Sequence, residues 1–213
     1  MAISPRIARV GLVVLDDAGS QPQRVITLQY NPDSLTRSLQ PRGSSAEGGE
    51  VQRVSGPPNQ TLSFDAELDA TDQLADPEEH RLEAGSGLHA YLAVLEELLY
   101  PRVDDILHND RLAAQGFLEI VPTPSPTVIL VWSRNRVVPV KLTELSIVEE
   151  AFDTRLNPIR AKVSMSFRVL STAELGTRGR AGSIAVGQHT RLETLAGARG
   201  FGSLTDLGPG VTL

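Results

Sequence analysis

The 213-residue chain carries 26 acidic against 20 basic residues, a formal charge of −6, and no Lys/Arg block longer than two, so it lacks the concentrated positive charge that a phosphate backbone requires and nucleic acid is not an expected partner. Hydrophobic residues at 40% and charged residues at 22% are globular values, and the length fits one ordinary domain plus an appendage. The absence of cysteine excludes disulfides, Cys-ligated zinc, iron–sulfur clusters and thiol catalysis.

The opening MAISPRIARVGLVVLDD holds an apolar stretch of about five residues closed by two aspartates, too short for a signal peptide's core or a spanning helix, so a cytoplasmic protein with no membrane insertion is expected. A first strand from Ile7 to Leu15 and a second from Arg24 to Tyr30 flank an Asp-Asp-Ala-Gly turn and form a hairpin. Asn31-Pro32 stops the pairing, because proline has no amide proton and restricts the residue before it. A Gly-, Ser- and Pro-rich loop follows from Gln40 to Asn59, with little to bury, and is read as a loop ordered by a neighbouring molecule.

From Thr61 to Asp69 a strand alternates Leu62, Phe64, Ala66 and Leu68 with Asp65, Glu67 and Asp69. One main helix is expected over Gly87 to Tyr100, with Ser86 as N-cap and Pro101 as stop, since Leu88, Tyr91, Leu92, Leu95, Leu98 and Leu99 keep helical spacing. A short helical turn near Asp104 to Leu112 precedes strands at Phe117 to Val121, Thr127 to Ser133 and Val137 to Glu150. The last strand, Ala161 to Leu170, puts Ala161, Val163, Met165, Phe167 and Val169 on one face and Arg160, Lys162, Ser164, Ser166 and Arg168 on the other. The order predicts a β-rich α+β fold: an antiparallel barrel or sandwich packed by one helix over residues 1–172. Residues 173–213, rich in Gly and with single apolar residues, are read as an extended C-terminal docking arm with a short helix near Thr190 to Ala198.

Nothing in the chain is spaced like a catalytic or metal site. His80, His89, His108 and His189 lack HxH or HExxH spacing, and Glu149-Glu150 and Asp76-Pro77-Glu78-Glu79 lack the alternating oxygen ligands of a calcium loop. Ser86 in GSGLH lacks the second glycine of a nucleophile elbow. No catalytic residue, cofactor or metal is expected.

Four segments in order carry a resemblance: a strand running into Tyr30-Asn31-Pro32; LSFDAELDATD, with Leu62 and Phe64; an apolar strand ending in Trp132; and LNPIRAKVSMSF, with Pro158, Arg160, Val163 and Phe167. Together they resemble the tube-type proteins of contractile injection systems, most closely in layout the adaptors that join the inner tube to the baseplate and spike. Trp132 is followed by Ser133 where that family has glycine, and residues 173–213 do not resemble the LysM module such adaptors often carry. The resemblance implies a tube-type fold and a non-enzymatic structural subunit acting as a hexameric ring. Its implied partners are the tube, spike and baseplate proteins of a phage-tail-like particle. The alternatives are the inner tube protein itself, a stand-alone ligand-binding β-barrel, and a hydrolase using Glu149 or Glu150 with a distant acid.

Overall fold

The computed structural model describes residues 8–16, 19–42, 56–116 and 125–199. Its centre is a seven-stranded antiparallel sheet in the order β2-β1-β5-β6-β7-β4-β3. The strands are β1 (Gly11–Leu15), β2 (Pro22–Thr27), β3 (Thr36–Gln40), β4 (Asn59–Asp69), β5 (Val128–Ser133), β6 (Arg136–Phe152) and β7 (Pro158–Val169). The hairpin expected at the start is present, with Val13 opposite Val25. β4 and β7 run in register from Thr61 opposite Arg168 to Asp69 opposite Arg160, so both alternations read from the sequence share one pleat.

The inward residues of that pleat form the core. Leu12, Leu62, Phe64, Leu130, Val140, Val163, Met165 and Phe167 bury against Leu88, Leu92, Leu95 and Leu98 of the helical segment. Phe64 stacks on Phe167 with ring centroids 5.5 Å apart and meets the edge of Trp132 at 5.3 Å. Because one concave face receives side chains from β1 across to β4, the sheet curls around that segment. Gln29 fastens the curl: its Nε2 donates to the Asp69 carbonyl at 2.7 Å and its Oε1 accepts the Asp69 amide at 2.8 Å.

The expected barrel is not closed, since β2 and β3 end the sheet and do not pair with each other among the described residues. β3 was absent from the sequence reading because every one of its five residues is exposed and no apolar alternation marks it. The acidic stretch before the expected helix holds two short helices, α1 (Thr71–Ala75) and α2 (Arg81–Ser86); after a break, the helix expected over Gly87 to Tyr100 is α3 (His89–Glu96), and the helical turn expected near Asp104 to Leu112 is α4 (Val103–Ala114). Ser86 does not cap; it ends α2 and its Oγ donates to the Leu82 carbonyl at 2.8 Å. The break falls at Gly87, whose φ of +55° suits glycine, and where a Cβ would lie 2.4 Å from the Pro158 carbonyl oxygen. That same oxygen accepts the Leu88 amide at 2.8 Å, so the entry to β7 clamps the turn before α3.

Of the residues read as an extended arm, the described ones up to Arg199 are largely helical instead: α5 (Thr172–Leu175) and α6 (Arg180–Arg199), the latter containing the short helix expected near Thr190 to Ala198. Ala181 of α6 joins Leu15 and Ile129 in a second, smaller core, with Val13, Val131, Val137, Leu175 and Ile184 around it. The helices therefore seal the convex face of β1, β5 and β6. The helical repeat of Ala181, Ile184, Ala185 and Gln188 is hidden in the sequence by interleaved glycines, of which Gly182 is needed for close approach: a Cβ there would lie 2.5 Å from the Gly176 carbonyl oxygen. Among the described residues no helix is long and apolar enough to cross a membrane. The expected strand at 117–121, most of the loop between Gln40 and Asn59, and the tail beyond Arg199 lie outside the described residues.

Candidate functional site: a polar sheet face

Pleat alternation sends one set of side chains into the core and the other outward, and the outward set is polar across four adjacent strands. β7 presents Arg160, Lys162, Ser164, Ser166 and Arg168. β4 presents Thr61, Ser63, Asp65, Glu67 and Asp69 beside them, and β6 presents Glu144, Ser146, Val148 and Glu150 on the other side. β3 extends the face with Thr36 and Ser38, opposite Ser63 and Thr61. Hydroxyls thus occupy the middle of the face, and charges gather toward the end where β7 begins.

The hydroxyl zone holds a shallow depression of about 170 Å³, lined by Ser34, Thr36, Ser63, Asp65, Glu144, Ser146, Ser164 and Ser166. A second depression of about 380 Å³ lies at the charged end, among Tyr30, Glu67, Asp69, Glu150, Arg160 and Lys162. Cations on the central strand stand between carboxylates on both neighbours: Arg160 Nε lies 3.0 Å from Asp69 Oδ2, and Lys162 Nζ lies 3.5 Å from Glu150 Oε1. Of the acidic side of β4 and the basic side of β7, Asp69 and Arg160 pair within the chain, while Lys162 turns to Glu150 of β6 instead. Asp69 also accepts the Thr71 amide at 2.8 Å and the Thr71 hydroxyl. Those hydrogen bonds first, and Arg160 after them, hold its carboxyl below the ordinary 3.8.

The motif residues divide into frame and face. Leu62, Phe64, Val163 and Phe167 are core, Pro158 is buried beside Gly87, and Trp132 packs half-buried on Phe64. Asn31 staples the entry to β1, its Oδ1 accepting the Val10 amide at 3.0 Å and its Nδ2 donating to the Ala8 carbonyl at 2.8 Å. Pro32 follows it, half-buried, and Tyr30 and Arg160 come together at the charged depression. The structure thus brings the first, second and fourth motifs to one place through Gln29, Tyr30, Asp69 and Arg160.

Ser171 and Glu174 were missed by the sequence reading although Ser-x-x-Glu is the signature of a capping box. The Ser171 amide donates to Glu174 Oε2 at 3.1 Å, and Arg168 pairs with Glu174 Oε1, which ties the polar face to α5. Burial raises the Glu174 carboxyl, but the Arg168 and Ser171 hydrogen bonds outweigh it and leave it lowered.

Glu149 and Glu150 are consecutive on β6, opposite Ala161 and Arg160, and so project to opposite sides of the sheet. His80, His89, His108 and His189 lie on separate helical segments or their flanks. Among the described residues no group of three or more His, Asp or Glu is placed to hold a metal ion.

No family model matches the chain, and no curated protein matches it. Among solved structures it is similar to a chain in the tail of an empty GTA particle with C6 symmetry, at 11% identity, over 76% of this chain and 91% of that one, with a TM-score of 0.27. A superposition that loose carries no structural argument.

Proposed function

We propose that the chain is a structural, non-enzymatic subunit of a contractile injection or phage-tail-like particle, forming a hexameric ring that joins the inner tube to the baseplate and spike. The observation that supports this reading most is the division of the sheet's convex face. One part, over β1, β5 and β6, is sealed by α5 and α6 through apolar contacts. The other, over β6, β7, β4 and β3, stays hydroxylated and charged up to an open edge.

A wetted sheet face ending in a strand with no outer partner among the described residues suits a wall that continues into a neighbouring copy and encloses an aqueous lumen. The five exposed residues of β3 offer backbone groups on one edge, and β2 offers them on the other, so a head-to-tail ring is available by strand addition. The order of the four motif segments along the chain adds the resemblance to tube-type proteins. The sealing layer of α5 and α6 favours the adaptor over the repeated tube subunit, which needs only identical contacts above and below. The concave side is filled by the leucines of the α3 segment, which gives a ligand-binding barrel no comparable support.

Reconstitution tests the reading. Mixed with the tube and spike proteins of such a particle, the full chain is expected to enter six-subunit rings visible by electron microscopy. Ser164→Trp and Ser166→Trp are expected to leave folding intact and add density inside the ring. Density on the outer wall would contradict the assignment of this face.

A further inference from the structure

Two helix faces have no partner among the described residues, and they match each other. The face of α6 that packs on the sheet carries Ala181, Ile184, Ala185 and Gln188. Where the sheet ends, Gln188 Nε2 donates to the Asn135 carbonyl at 3.3 Å and Arg191 reaches the Arg134 carbonyl, both in the β5–β6 turn. Beyond Arg191 every residue to Arg199 is exposed. Eight further residues at 1.5 Å each carry the helix about 12 Å past that turn. On this projecting part the packing face continues without a change of phase as Leu192, Leu195, Ala196 and Arg199, at positions i, i+3, i+4 and i+7.

The second face is on α4, which buries no residue. Its half-buried positions, Asp105, Asn109 and Leu112, mark the side toward the rest of the chain. The opposite side shows Val103, Ile106, Leu107 and Asp110, again at i, i+3, i+4 and i+7, with Val103 68% exposed. One stripe ends in a cation and the other in a carboxylate, and neither Arg199 nor Asp110 forms an ion pair among the described residues.

We propose that the projecting half of α6 in one copy packs in parallel on the outer face of α4 in a second copy. Leu192 then sits by Val103, Leu195 by Ile106, Ala196 by Leu107, and Arg199 pairs with Asp110. Parallel packing is the arrangement that brings both charges to the same end. The contact joins two different surfaces and so propagates head to tail, closing into a ring where the rotation allows. It supplies a helix contact to the ring reading above, on which only its closure depends.

The cysteine-free sequence makes the test clean. Full-length chains carrying Leu195→Cys or Ile106→Cys, distinguished by mass, are mixed at equal concentration, oxidised and analysed by mass spectrometry, after thermal melts confirm wild-type folding. The mixed disulfide is expected to exceed its statistical share several-fold. It should fall to that share when Asp110→Arg is added to one chain and recover when Arg199→Asp is added to the other. A statistical mixture from the outset, or a yield indifferent to both reversals, overturns the contact. Six-subunit rings without the mixed disulfide reject the contact alone, whereas the charge-dependent disulfide without rings rejects only the ring reading.

Discussion

At the residue scale the chain separates groups that hold the fold from groups that face outward. Phe167 is fully buried between Phe64 and the strands on either side, so Phe167→Ala is expected to cost about 3–5 kcal/mol, measurable by urea unfolding of a folded variant. Asp69 and Glu174 titrate below their ordinary 3.8 and 4.5 in the folded chain. A carboxylate with a depressed folded value adds stability above its unfolded value, and that stability is lost as pH falls through the folded one. The melting temperature should therefore drop as pH falls from about 5 toward 3. Asp69→Asn should flatten that drop, and an unchanged slope would show that the Thr71 and Arg160 contacts do not couple to folding. The alternation on β4 and β7 made the inward role of Phe167 and the outward role of Asp69 legible from sequence, because a period of two admits one partition, whereas Glu174 lies on α5, outside that alternation. Tyr30 and Arg160 were legible as motif positions, but their meeting at one depression was not, since it depends on the curl fastened by Gln29 and Asp69.

At the element scale, legibility followed burial. β4 and β7 pack one face on the core and announce themselves by alternation, whereas β3 is exposed throughout and carries no such pattern. The helix over Gly87 to Tyr100 was right in Leu88, Leu92, Leu95 and Leu98, which bury, wrong in Tyr91 and Leu99, which stay exposed, and wrong in its start, because the clamp from Pro158 comes from seventy residues away. Gly87→Ala must move a carbonyl that a Cβ would approach to 2.4 Å while holding φ at +55°. A loss of about 1–3 kcal/mol is expected by thermal or urea unfolding. Of the C-terminal helices only the stretch of α6 near Thr190 to Ala198 was legible; the rest was not, because glycine and single apolar residues concealed a repeat that serves a small core rather than the main one. Since Leu15, Ile129 and Val137 lie beneath α5 and α6, deletion of residues 173–213 is now expected to expose an apolar patch. The truncated chain should bind a hydrophobic dye and melt several degrees lower, in contrast to the intact folded domain that an independent arm would leave behind.

For the whole molecule, one sheet serves two solvents. Its concave side and one convex end are dry, closed by α3 and by α5 with α6, while the remaining convex face is wet and reaches an open edge. That asymmetry suits the ring subunit proposed above. Native mass spectrometry of the full chain, alone and with the tube and spike proteins of a phage-tail-like particle, tests the central claim most directly. Six-subunit rings or co-complexes containing six copies are predicted. A chain that stays monomeric with every such partner would contradict the account.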